Sequence, residues 1–368
     1  MATCDAVVIG GGCVGASVAY HLAAAGCPDV ILLEAHSLGS GSTSKAAGGI
    51  RLQHGDVLNT LLAYRSLAEF SRFADLTGSE IFFKQVGYLF LIDSERDLEL
   101  FHAARQMQRG LGIPVDVLTP SAARDAVPQL DIDGLIAASF CPLEGYATPD
   151  AVVQGYAGAA RRLGVRVRQS EPVTRVIVEN GRVTGVDVAG ERISTSVVVC
   201  AAGIGSRAVA ATAGVELPVS GERRRIFFTK QSGGIPDGIP LTVDFATGFY
   251  FHREGPGLVL GGREFEPEDL LGPAVRRLPV VGDLPLTSSW YGDYDMSPDH
   301  NGMVGAHSQV DGFYYATGFS GHGFMLSPAV GEHLAELITG QVPSIDLAAL
   351  SAERFDDGGG HRREPIVN

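Results

Sequence analysis

Several groups of residues have the types and spacing to do chemistry. Gly10, Gly12 and Gly15 form G-x-G-x-x-G between an apolar run and a helical pattern. In that setting glycine permits a tight turn, close approach of a pyrophosphate and close helix packing. Cys13 and Val14 open the helix, so its first amides and its dipole would face the phosphates. Glu34 lies 19 residues after Gly15, near the separation of about 20 at which an acid meets a ribose hydroxyl. Ala35 then begins a loop carrying Ser42, Thr43, Ser44 and Lys45, whose hydroxyls and cation suit a second approach to a pyrophosphate, and Ala47, Gly48 and Gly49 end it. A phosphate loop of the ATPase kind needs Gly-Lys-Ser/Thr, whereas Gly15 is followed by Ala16 and Ser17, so that chemistry is excluded. The first unit alone leaves FAD and NAD open.

The elements that must hold these residues can be read from periodicity. Ala6–Ile9 is a short apolar strand, helical spacing continues to Ala25 with Gly26 as a stop, and Val30–Leu33 reads as a parallel strand covered on both faces. A helix is expected over 57–74 with Asp56 as N-cap, and another opens at Ser94 with Asp97 three residues later. Thr148-Pro149 starts a helix ending near Gly164. Asn180-Gly181 joins two strands as a hairpin, the first of them opening at Val173. Short strands dominate 81–141 and 214–294, and a last helix is expected over 328–338. The spacing predicts an α/β protein, α+β overall. A Rossmann-like dinucleotide-binding domain over 1–80, 147–214 and 295–368 interleaves with a second, β-rich domain over 81–146 and 215–294.

Composition narrows the function classes. With 368 residues, 45% hydrophobic and 19% charged, the chain is globular and long enough for two cores. A net charge of −14 repels a phosphate backbone, which excludes nucleic acid as a partner. Five cysteines without a C-x-x-C pair argue against a disulfide framework or a zinc site, and the histidines lack metal-ligand spacing. No metal is expected, and no membrane association. The expected location is the cytoplasm, and the oligomeric state, homo- or hetero-oligomer, is open. Arg223-Arg224-Arg225 reads as a solvated strand edge.

The strand and small-residue turn Val197 to Gly203, which includes Ala202 and Gly203, resembles the element that flavoproteins return to the cofactor. Gly318-Phe319-Ser320-Gly321-His322-Gly323-Phe324 would set backbone amides beside the flavin pyrimidine, where negative charge gathers on reduction. Together with Gly48-Gly49-Ile50-Arg51, these motifs resemble the D-amino-acid oxidase superfamily of FAD enzymes, in its sarcosine oxidase and glycine oxidase branch, over nearly the whole chain. The resemblance implies an FAD enzyme for a small-molecule amine or amino acid, with the dinucleotide-binding domain as a Rossmann-like FAD-binding domain and the β-rich one as an antiparallel-sheet substrate domain. A hydride passes from the carbon beside the amine to flavin N5, and water hydrolyses the resulting imine.

By that resemblance Arg51 corresponds to a carboxylate-binding position, which suits the two-point fork of a guanidinium; the alternative is a structural ion pair. Tyr250 matches a pocket tyrosine or is core. Arg263 falls near a substrate-facing position or is an exposed strand end. His322 fits structural hydrogen bonding better than proton transfer. Three departures stand out. Met325 replaces a lysine that helps hold the carboxylate, so the anion site is either weakened or rebuilt around another cation, or the pocket is widened by flexible apolar surface for a longer apolar substituent. Val259 replaces a lysine that assists oxygen reduction. Gly292 and Lys45 replace the covalent attachment points, so the FAD should be noncovalent. The expected activity is oxidation of glycine, sarcosine or another N-substituted glycine, with O2 reduced to H2O2. The alternatives are a dehydrogenase passing electrons to a partner or carrier, and a non-catalytic FAD-binding subunit.

Overall fold

Successive side chains of the Ala6–Ile9 strand point to opposite faces, and all four are buried. Ala6 and Val8 join Val30 and Leu32 in one core, packed beneath the Cys13–Ala24 and Gly323–Ile338 helices. Val7 and Ile9 join Ile31 and Leu33 in another, against Val176, Val186 and Ile193 of a small sheet. This double burial explains the unbroken apolar runs, each such Val, Leu or Ile contributing roughly 1.5–3 kcal/mol. The structure is a computed structural model and describes residues 2–263, 266–356 and 363–366.

Six strands make the nucleotide-binding sheet, in the order Met303–Ala306, Phe313–Thr317, Val198–Cys200, Ala6–Ile9, Val30–Leu33, Arg166–Arg168. All neighbours are parallel except the first pair. The small sheet on its far face holds the expected hairpin, with Asn180 and Gly181 both at positive φ.

A second sheet of eight strands runs Leu286–Met296, Ser220–Thr229, Gly257–Gly261, Tyr250–Glu254, Leu241–Asp244, Tyr88–Ile92, Ala137–Cys141, Asp116–Leu118. The expectation of an antiparallel sheet needs one correction, because Leu241–Asp244 pairs parallel with Tyr88–Ile92. That pair is where two separate excursions of the chain meet. No hairpin joins the two strands, so nothing obliges them to run in opposite directions. The Leu286–Met296 strand also overruns the expected boundary at 294, carrying Asp295 toward the nucleotide-binding sheet.

Two helices differ from expectation. The helix expected over 57–74 ends at Phe70, and a short one follows over Phe73–Thr77; Asp56 caps the first by accepting from the Asn59 amide at 2.8 Å. The last helix begins at Gly323 rather than 328, with Pro328 inside it. Proline cannot donate to the Phe324 carbonyl, and Ser327 Oγ does so instead at 2.8 Å, which lets the helix run through.

Candidate functional site

Glycine builds the first cavity. Gly10 has φ +108° and Gly15 faces it so closely that a Cβ on Gly15 would sit on the Gly10 carbonyl oxygen. The turn therefore holds the start of the Cys13–Ala24 helix against the sheet. Glu34 accepts from the Gly11 amide at 2.7 Å and from the His36 amide at 2.8 Å. The Thr43 hydroxyl accepts from the Cys13 amide at 3.1 Å. Above this floor lies a cavity of about 530 Å³ bordered by Gly10, Gly12, Cys13, Val14, Glu34 and Ala35, within the usual range for cofactor sites. Ser42, Thr43, Lys45, Val173, Ala202 and Gly203 continue its wall. Its far end is Phe319, Gly321, Gly323 and Phe324.

The 318–324 loop is organised differently from expectation. Asp295, whose carboxyl burial pushes up, accepts from the Gly318 amide at 2.7 Å, the Phe319 amide at 3.4 Å and Thr317 Oγ1 at 3.3 Å. The amides of 318 and 319 are thus spent inside the protein, and Gly318 does not border the cavity. The amides of Gly321, Gly323 and Phe324 have no backbone acceptor among the described residues, as befits the start of a helix aimed at an anion or a polarised ring. Ser44 turns away, its hydroxyl on the Gly41 carbonyl at 3.5 Å, and Gly15 lies under the turn rather than on the cavity wall.

A dinucleotide fits this cavity on the structure's own terms. An acid stands at one end, a glycine-lined helix start in the middle and unpaired amides at the other. Gly292 borders it opposite Lys45. Cys13, Val14 and the glycines would hold the pyrophosphate, and Gly321 to Phe324 the flavin pyrimidine.

Side chains build the second, smaller cavity, about 80 Å³, which adjoins the first. Ala47, Gly48, Gly49, His322 and Met325, expected at the cofactor, border this one instead. Gly48 has φ +75°, and a Cβ there would collide with the Ala147 carbonyl. Gly49 and Ile50 pair antiparallel with Tyr146 and Gly145, a two-strand ladder tying the two large sheets together. Glu144 then fixes the next turn of chain. It accepts from the Leu52 amide at 2.5 Å, the Gln53 amide at 2.8 Å and Gln53 Nε2 at 2.8 Å. Burial pushes its carboxyl up to about 7 against those bonds and the Arg51 charge.

Between ladder and clamp, Arg51 is buried at 2% exposure and borders the pocket. Its Nη1 donates to the Gln53 carbonyl at 2.8 Å and the Ile366 carbonyl at 2.9 Å, and its Cζ lies 5.5 Å from the Phe90 ring centroid. No carboxylate pairs with it among the described residues, so the alternative of a structural ion pair is not what the structure holds. Nη1 has spent both protons on carbonyls. The Nε and Nη2 edge, the side-on fork that fits a carboxylate, has no partner among the described residues.

Tyr250 borders the pocket with its ring over Gly261, joined by Tyr88 and Tyr294, which the sequence did not single out. Burial pushes both the Tyr250 and Tyr294 hydroxyls up, helped at Tyr250 by the neighbouring Tyr294 and Tyr88 and opposed at Tyr294 by the Arg224 charge. Half-buried Arg224, from the basic run read as solvated, sits with its Cζ 5.6 Å from the Tyr294 ring centroid. His322 meets His54 edge to face at 5.2 Å, and burial together with the Arg51 charge holds both imidazoles well below their usual range. Arg263 is corrected. It is exposed, borders neither cavity, and lays its stem across Gly248 with Nη2 3.4 Å from the Phe245 carbonyl. Val259 is buried and borders neither cavity. The five cysteines are free, and no cluster among the described residues could hold a metal ion. No helix among the described residues is long and apolar enough to cross a membrane.

Residues 5–337 match the model of the FAD dependent oxidoreductase family. The chain is 28% identical to 4-methylaminobutanoate oxidase (formaldehyde-forming) of Paenarthrobacter nicotinovorans over 95% of its own length and 45% of that protein's. It is 28% identical to human mitochondrial sarcosine dehydrogenase over 96% of its own length and 41% of that protein's. The chain thus spans less than half the length of these curated relatives. Among solved structures, L-proline dehydrogenase from P. horikoshii superposes with a TM-score of 0.91 at 30% identity, covering 97% of this chain and 99% of that one.

Proposed function

The chain belongs to the FAD dependent oxidoreductase family, and we propose that it oxidises a small secondary amino acid, binding the substrate carboxylate on Arg51. One observation carries this reading. A guanidinium buried without an acidic partner is costly, and Arg51, whose Nε and Nη2 have no partner among the described residues, borders a pocket beside the cavity that fits the cofactor. The named substrates of the three relatives support it, since methylaminobutanoate, sarcosine and proline each join a secondary amine to a carboxylate.

FAD, when bound, supplies a hydride acceptor. The residues do the rest. Arg51 anchors the carboxylate at two points and so fixes which carbon faces the cofactor cavity. Tyr88, Tyr250 and Tyr294 wall the pocket and exclude water. His322, neutral at pH 7, offers an acceptor nitrogen to the substrate N–H without adding charge that would compete for the carboxylate. Loss of the hydride from the neutral amine, with the nitrogen lone pair forming the new C=N bond, leaves a protonated imine; with an N-methyl substrate, water adds at its carbon and C–N cleavage releases amine and aldehyde. Met325 puts a flexible apolar side chain on the pocket wall, where the resemblance has a lysine.

Anaerobic mixing with sarcosine and L-proline should bleach the oxidised flavin absorbance, while dimethylamine and pyrrolidine, which lack the carboxylate, should not. Equal bleaching by the two pairs would remove Arg51 from the account. A second reading concerns the acceptor. The position that is an oxygen-assisting lysine in the resembled oxidases is the buried, uncharged Val259 here, which supports a carrier rather than O2. Dye reduction outpacing peroxide formation is the expected result.

A further inference from the structure

Segment 363–366 returns to the substrate side of the molecule through a chain of specific contacts. Glu364 is 2% exposed. Its Oε1 accepts from the Gly55 amide at 2.8 Å and from the Ile366 amide at 2.8 Å, and its own amide donates to the Asp299 carbonyl at 3.2 Å. Asp299 itself accepts from Arg354 Nε and Nη2, at 2.8 and 3.0 Å. Pro365 lies against Gly55 so tightly that a Cβ there would meet its Cδ at 2.6 Å. Ile366 is fully buried among Tyr88, Phe90 and Phe101, in the core beneath the substrate pocket. Its carbonyl then takes one of the two Nη1 protons of Arg51.

A guanidinium can turn about its last side-chain bonds, and which edge it offers depends on what holds the others. The Gln53 carbonyl alone leaves Arg51 one fixed contact. The Ile366 carbonyl supplies the second and removes that freedom. We propose that segment 363–366 is a positioning element for substrate recognition, in which Glu364 docks the segment and the Ile366 carbonyl locks Arg51 with its Nε and Nη2 edge toward the substrate carboxylate. This rests on the reading of Arg51 given above. It makes Glu364 and Ile366 positioning residues, although neither borders the pocket.

The test uses the flavin-loaded protein and acetate as a carboxylate probe, titrated through its perturbation of the flavin visible spectrum, with hydrogen exchange of 363–366 followed in parallel. Glu364→Ala removes the dock, and Gly55→Val displaces Pro365 without touching the segment itself. Both should raise exchange in 363–366, weaken acetate by about 10-fold or more, as expected when a charge-assisted two-point contact is lost, and raise KM for sarcosine or L-proline more than they lower kcat. Glu364→Gln keeps an acceptor oxygen for both amides and should rescue acetate affinity to within about 2-fold. Arg51→Met separates the two claims. If it abolishes acetate binding while the freely exchanging Glu364→Ala and Gly55→Val proteins bind acetate like the parent, the segment has no positioning role and the Arg51 reading stands. If Arg51→Met binds acetate unchanged, both fall.

Discussion

The cofactor cavity and the substrate pocket share a wall at Tyr294, Gly321 and Phe324, yet they are made of different material. The cofactor cavity is floored by main chain. Its glycines exist to leave room, as at Gly10 and Gly15, and its donors are amides at the starts of two helices. The substrate pocket is made of side chains brought from distant stretches of sequence, and Arg51, the one Lys or Arg among its described lining residues, donates to the carbonyls at 53 and 366. A main-chain site tolerates most side-chain changes and fails when the chain path is blocked. A side-chain site keeps its shape and loses its chemistry one group at a time. The two should therefore be separable by mutation.

The largest effect is expected in the first. Gly15→Val puts side-chain carbon on the Gly10 carbonyl, a contact between main-chain segments that nothing flexible can relieve. The protein should emerge without bound flavin and with Tm lowered by roughly 10 °C, read from visible absorbance and a melting curve. A yellow protein of normal Tm would show that the turn is softer than drawn. Arg51→Met comes next and acts on the other region alone. Flavin content should be unchanged while kcat/KM for a carboxylate-bearing amine falls by about 10³-fold. Arg51→Lys should recover only part of this, because an ammonium cannot keep two carbonyls and still present a planar fork.

Glu144 sharpens the comparison because it supports the pocket without entering it. Its carboxyl is pushed from an ordinary 4.5 to about 7, so the folded protein holds the proton more tightly than the unfolded chain does. The stability from that preference is complete below pH 4.5 and is lost as pH rises through about 7, an effect of order 3 kcal/mol at most. The charged and titratable neighbours are Arg51, which opposes the shift, and Cys141, whose thiol is pushed up by burial and then by the Glu144 charge. Glu144→Gln should flatten the dependence of Tm on pH between 4.5 and 7 while leaving flavin content intact. A dependence as steep as the parent's would place the titration elsewhere.

How much of each region could be read from sequence follows from the same difference. The cofactor cavity is local, so G-x-G-x-x-G, Glu34, Gly321 and Gly323 were legible as spacing, while Gly318 was not placed correctly. What escaped was Asp295, an acid on a strand of the other sheet that takes two of the loop amides, because nothing in its neighbourhood along the chain marks it. The substrate pocket was legible only at Arg51, Tyr250 and Met325, through family resemblance. Tyr88 and Tyr294 sit on strands whose alternation gives a face but not the direction in which that face curls. Segment 363–366 carries no motif, and its role depends on contacts more than 300 residues away in sequence.

Arg263 gives the smallest expected effect and the sharpest contrast with Arg51. Both are arginines near the pocket in sequence-based alignment, and only burial and partners separate them. Arg51 is 2% exposed, with its charge uncompensated and one edge free. Arg263 is exposed, its stem lies where Gly248 lacks a Cβ, and its long bond to the Phe245 carbonyl is solvent-screened. An exposed contact of that kind contributes at most about 1 kcal/mol, and no part of it reaches the substrate. Arg263→Ala should therefore leave kcat/KM within about twofold and flavin content untouched. Its backbone carbonyl, which accepts from Arg224 at 3.1 Å, survives the substitution, so Arg224 stays over Tyr294. A loss approaching that of Arg51→Met would mean that the strand end folds over the pocket when substrate binds, and the division between a main-chain site and a single-cation site would have to be redrawn with two cations.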